Sequence, residues 1–118
     1  MTSRTFEDVE LWKLAHSWVI DIYRLTDGFP KHELFGLTSQ LRRAAVSVPA
    51  NFAEGFKKLG LADKIRFYNI AQGSLEECKY YLILARDLKY GEVKGLRDRA
   101  EQIARMLDAY MRGIRRAK

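Results

Sequence analysis

The sequence predicts an all-α protein, an antiparallel up-down four-helix bundle formed as a single domain over residues 1–118. Three observations carry this. Apolar residues recur at three- and four-residue steps through four long segments, which is the period of a helix with one buried face. Glycines mark short breaks between those segments, and connections of this length join antiparallel neighbours. The chain has only two prolines among its 118 residues, and no alternating β-branched run of strand length. A chain this long holds one modest core, not two.

The first helix is expected from about Phe6 to Asp27, capped by Thr5, with Glu7 and Asp8 in its electropositive first turn. Leu11, Trp12, Ala15, Trp18, Val19, Ile22 and Tyr23 make a broad apolar stripe, and Gly28 and Pro30 stop it. The second spans about Leu37 to Leu59, opened by Thr38 or Ser39 and closed by Gly60. Leu41, Ala44, Ala45, Val48, Phe52 and Phe56 share its apolar face. Pro49 sits in its middle, where the missing N–H and the clash with the Ala45 carbonyl predict a kink. The apolar phase is unchanged across Pro49, so the helix bends and does not break in two.

The third helix is expected from about Asp63 to Leu88, ending at Gly91. Its apolar residues, from Ile65 through Leu88, lie around most of the circumference, and such a helix is buried on several sides. A lone bundle buries about one stripe per helix, so a second copy of the chain is the economical cover for the rest. The fourth runs from about Val93 to Arg116, with Leu96, Ile103, Leu107, Tyr110 and Ile114 buried. Lys94, Arg97, Arg105, Arg112, Arg115 and Arg116 fall within an arc of about 100° on another side.

Reactive groups are sparse. His16 and His32 are the only histidines, and neither stands in a Glu-x-x-His pattern of the kind that builds di-metal sites in bundles. No His-Glu-x-x-His or paired-cysteine spacing exists. Cys78, the single cysteine, lies among Ala71, Leu75 and Leu82 and reads as a buried structural thiol. Gly55, Gly60 and Gly73 form no phosphate-cradling loop, and Glu76 and Glu77 are adjacent and so point about 100° apart on a helix. The expectation is a protein that is not an enzyme, with no catalytic residues, metal or cofactor.

The N-terminus lacks a basic flank followed by an apolar stretch, and no apolar run approaches the roughly 20 residues of a membrane span. The chain therefore reads as cytoplasmic, with no membrane role. Its net charge of +6 favours a polyanionic partner, because lysine and arginine gain affinity by displacing counterions from phosphates. Glu101 and Asp108 stand four residues before Arg105 and Arg112, and Arg97 four before Glu101, so part of the fourth helix's arc is a solvated face of weak pairs. Arg112, Arg115, Arg116 and Lys118 remain unbalanced, although positive charge there also suits the helix dipole. Arg42, Arg43, Lys57 and Lys58 form a second candidate patch. Nucleic acid, RNA or DNA, is the leading external partner.

Three stretches are distinctive: FEDVELWKLA (Phe6 to Ala15), LTSQLRRAAVSVPANFAEGF (Leu37 to Phe56) and GSLEECKYYLILA (Gly73 to Ala85). Together they resemble the bacterial four-helix-bundle family of 23S ribosomal RNA intervening-sequence proteins, over about residues 6 to 112. The most specific element is Ser-x-Pro-x-Asn-x-Ala-Glu-Gly, at Ser47, Pro49, Asn51, Ala53, Glu54 and Gly55. The resemblance implies a four-helix bundle and a barrel-like homopentamer. It extends to the accessory proteins of diversity-generating retroelements, which are basic pentamers associated with a reverse transcriptase and nucleic acid. The family's name records a genomic location and carries no catalytic residues over to this chain. Read from the residues, the motif is structural. Ser47 or Asn51 satisfies a carbonyl freed at Pro49 or its neighbours. Ala44, Ala45, Ala53 and Gly55 allow close helix approach, and Glu54 pairs with Arg42, Arg43 or Lys58. The expected function is a homo-oligomer that binds RNA or DNA through Arg42, Arg43, Lys57, Lys58, Arg105, Arg112, Arg115 and Arg116. The alternative is an adaptor that docks a protein such as a polymerase or reverse transcriptase.

Overall fold

The computed structural model describes residues 5–117; Lys118 lies outside them. Four helices make the fold: α1 (Glu10–Asp27), α2 (Leu37–Lys57), α3 (Leu61–Asp87) and α4 (Lys94–Arg116). Each packs against the next and α1 closes the ring against α4, giving an elongated bundle of 47 × 23 × 20 Å. No strand occurs among the described residues. The expected four-helix architecture holds, and the differences lie at the helix ends.

The first helix does not start at Phe6. Phe6–Asp8 form a 3-10 turn, Val9 is extended (φ −84°, ψ 125°), and α1 begins at Glu10. The Asp8 carboxylate turns back to accept from the Thr5 N–H at 3.2 Å, which closes the short turn on itself. The turn sets Phe6 edge-on against Trp12, ring centroids 5.0 Å apart. The start of α2 likewise departs from expectation. Thr38 is buried and does not cap; Glu33, from the preceding 3-10 turn, accepts the Leu37 N–H at 3.1 Å. At its other end α2 stops at Lys57, two residues early, and Lys64 reaches back from α3 to donate to the Gly55 and Phe56 carbonyls at 3.2 and 2.7 Å. That ammonium covers acceptors no further turn of helix would reach.

Pro49 is buried within a continuous α2. Asn51 Nδ2 donates to the Ser47 carbonyl at 2.9 Å and to Ser47 Oγ at 2.8 Å, and Ser74 Oγ of α3 donates to Ser47 Oγ at 2.8 Å. The motif's serine and asparagine thus serve the helix beside the proline and tie it to α3. Gly55 lets the same pair of helices close. A Cβ there would lie 2.7 Å from Tyr68 Cε1 and 3.1 Å from Phe67 Cβ.

The third helix starts two residues before expectation and ends at Asp87 with a Schellman closure. Tyr90 N–H donates to Ala85 O and Lys89 N–H to Arg86 O, at 2.9 and 3.0 Å. Lys89, not a glycine, takes the left-handed position at φ 61°. The core runs the length of the bundle through Trp18, Ile22, Leu41, Tyr68, Leu75, Leu82, Ile103 and Leu107. Trp18 also donates from Nε1 to the Leu96 carbonyl at 3.0 Å, anchoring the start of α4 to α1. A second strip of α3, with Ile70 and Tyr80 exposed and Leu88 exposed just past its end, faces outward. That matches the nearly all-round apolar character of the sequence.

Candidate nucleic-acid interface

The cationic side chains divide into those the fold has consumed and those it leaves to solvent. Arg42 is consumed. Its Nε donates to Thr26 Oγ1 at 2.7 Å, its Nη2 to Asp27 at 2.9 Å, and its guanidinium stacks 4.6 Å from the Tyr23 ring centre. Thr26 is itself buried and donates to the Ile22 carbonyl, so Arg42 clamps α1 to α2. Arg43, one residue on, is exposed and forms no ion pair or hydrogen bond with any described residue. About 21 Å of helix separates Arg43 from Lys57, so the four basic residues of the second helix do not form one patch.

Lys57 and Lys58 share an end of the bundle with Arg112, Arg115 and Arg116. The aromatic cluster just inside that end shows the convergence. Phe52 of α2 lies 5.2 Å from Tyr68 of α3 and 5.1 Å from Tyr110 of α4, by ring centroids. The Tyr68 hydroxyl has no hydrogen-bond partner among the described residues, and burial pushes its pKa up. Of the five cations, Lys58 reaches Glu54 at 3.7 Å and Arg112 reaches Asp108 at 3.4 Å. Lys57, Arg115 and Arg116 are exposed and have no ion pair among the described residues. Arg105 is also exposed and has no ion pair among the described residues, but it lies about 15 Å back along α4 from Arg115. Glu101 pairs with neither Arg97 nor Arg105; it meets Lys79 of α3 at 2.9 Å. Among Glu54's expected partners, the structure selects Lys58.

Several other titratable groups are engaged in packing. Arg99 donates to Asp21 across the α1–α4 boundary at 2.7 Å, and Arg24 adds a second bond at 2.9 Å. The Arg99 guanidinium holds the Asp21 carboxyl below the usual carboxylate range, against a smaller opposing effect of burial. For Lys79 burial acts to lower the pKa, and the Glu76 and Glu101 carboxylates together outweigh it and raise it. Cys78 is fully buried, and desolvation pushes its thiol up to about 12. His16 is exposed and stacks on Trp12, and His32 is exposed in the connection before α2. No group of His, Cys, Asp and Glu among the described residues is arranged to hold a metal ion.

An open cleft of about 510 Å³ runs between α2 and α3. Phe35 ahead of α2, Arg43 on α2 and Glu77 on α3 line it, together with Ser47 and Ser74, whose hydroxyls join the two helices. Phe35 is 92% exposed, and no pattern in the sequence marks it: one aromatic just ahead of a helix reads as a core residue.

The model of one known protein family matches residues 7–109, nearly all of the bundle. The chain belongs to the 23S rRNA-intervening sequence protein family. The match includes the whole α2–α3 cleft and stops before Arg112, Arg115 and Arg116, which lie outside the matched span of this intervening-sequence protein. A comparison with curated proteins returned no match. No helix among the described residues is long and apolar enough to cross a membrane.

Proposed function

We propose that this intervening-sequence protein is a non-catalytic cytoplasmic homo-oligomer, five copies by family resemblance, that binds RNA or DNA through its basic end. The observation that carries the reading is the set of cations there. Three of the five have no anion partner among the described residues, and the ion pairs of the other two are surface contacts at 3.4 and 3.7 Å within one helix or its end. Exposed pairs of that kind are worth little, so a phosphate backbone displaces them readily. Repetition of the end around an oligomer multiplies the charge that one strand meets. The outward strip of α3 supplies an apolar surface suited to the subunit contact.

A salt titration of binding to single-stranded RNA and to duplex DNA tests the reading. The expected log–log slope is negative and becomes shallower when Arg112, Arg115 and Arg116 are changed to Glu. Affinity independent of salt, or no binding at low salt, refutes it. The same exposed strip of α3 supports a second reading, an adaptor that docks a polymerase-class protein. That reading prevails if the triple charge reversal leaves a protein partner bound.

A further inference from the structure

We propose that the α2–α3 cleft receives one or two consecutive nucleotides of an unpaired strand, with a base stacked on Phe35 and a phosphate on Arg43. The proposal rests on the nucleic-acid reading above and gives the strand a second contact, away from the basic end.

Phe35 is nearly fully exposed, yet its turn is fixed. The Gly36 N–H donates to Glu33 O at 2.9 Å and the Leu37 N–H to the Glu33 carboxylate, so the ring stands on a built support. It makes no ring contact with any described residue, which leaves both faces available for stacking. Arg43 follows about 9 Å along the axis from Leu37. Its neighbour Arg42 is spent on α1, whereas Arg43 has no partner at all among the described residues. Across the cleft Glu77 has no ion pair either; its one described contact is the Tyr81 hydroxyl at 3.3 Å. Two opposite charges therefore line one cleft without neutralising each other.

The space between them suits a ligand that carries an anion at one edge and hydroxyl donors at the other. A nucleotide does both. Its phosphate belongs beside Arg43 and away from Glu77, which turns the ribose toward the carboxylate. There a 2′-hydroxyl donates where a deoxyribose cannot, so RNA is favoured over DNA. The lining adds two hydroxyls, Ser47, held by Asn51, and Ser74, which donates to Ser47. A paired base cannot reach Phe35, so the site selects unstacked bases.

The test uses the full-length protein, isotope-labelled, titrated with AMP, dAMP and inorganic phosphate. Amide shifts should map to residues 39–47 and 74–81, be largest with AMP, and vanish in Phe35→Ala. In a single-stranded RNA carrying one 2-aminopurine, Phe35→Ala and Arg43→Ala should each weaken binding about tenfold and abolish the fluorescence change, with solution mass unaltered. Cleft shifts with AMP that persist when Arg112, Arg115 and Arg116 are reversed support the proposal independently of the basic end. It is overturned by absent cleft shifts, by identical shifts in Phe35→Ala, or by a changed solution mass in that variant, which would make the cleft a protein contact.

Discussion

The Tyr90 hydroxyl donates to Glu33 at 2.8 Å across 57 positions of sequence, and the other oxygen of the same carboxylate caps α2 at Leu37. One side chain therefore ties the α3–α4 connection to the start of α2. The Leu37 N–H, and then Tyr90, hold the Glu33 carboxyl below its ordinary value of 4.5. A depressed carboxyl stabilises the fold fully above that ordinary value and loses the contribution as pH falls through the lowered one. Asp21 behaves the same way from 3.8. Glu33→Gln should lower stability at neutral pH and flatten its acid dependence below about pH 4.5. Denaturant melts at a series of pH values check this, and parallel pH curves for the two proteins would contradict it.

Arg42 and Arg43 are adjacent and should behave oppositely. Arg42→Ala leaves Thr26 and Asp27 without their donor and should cost about 1–3 kcal/mol. Arg43→Ala touches nothing in the fold and should stay within about 0.5 kcal/mol. Urea denaturation of both variants separates them.

Two glycines offer a matched contrast. Gly55→Ala forces a methyl into Tyr68, a fully buried ring that cannot swing aside, and should cost about 1–3 kcal/mol. Gly73→Ala meets nothing within 4 Å at an exposed position of α3 and should gain about 0.5–1 kcal/mol. Thermal melts that move in the same direction for both would show that the close approach at Gly55 is not what that position supplies.

Lys89 holds a left-handed backbone that glycine adopts without a Cβ penalty. Lys89→Gly should raise stability by about 0.5–1 kcal/mol, after the added freedom of the unfolded chain is counted. Differential scanning calorimetry at fixed pH measures it, and a lowered midpoint would contradict the strain.

The helices were legible because each apolar stripe repeats over many turns, so Trp18, Leu41, Leu75 and Leu107 identify their own faces. Cys78 was legible for the same reason. Helix ends were not, since the residue that caps α2 is Glu33, outside the helix, and the one that closes its far end is Lys64, on the next helix. Local preference pointed to Thr38 and Ser39, and a side chain from the preceding turn overrode it. The basic residues were visible as composition only. Nothing in the spacing of Arg42 and Arg43 says which one turns toward Thr26, because that depends on where α1 lies. Phe35 was invisible as a site residue: exposure of one aromatic is a property of the packed bundle.

The sealed thiol has a practical consequence. Cys78 is the chain's single sulfhydryl, and with its pKa near 12 it is almost entirely un-ionised at neutral pH and shielded from reagents by the surrounding helices. Alkylation must wait for the bundle to part, so its rate reports how often α3 opens from its neighbours where alkylation outpaces reclosing, and the open population where it does not. The protein carries its own clock for that motion, readable by mass spectrometry without any introduced label. Ligands or subunits that hold the helices together would slow it.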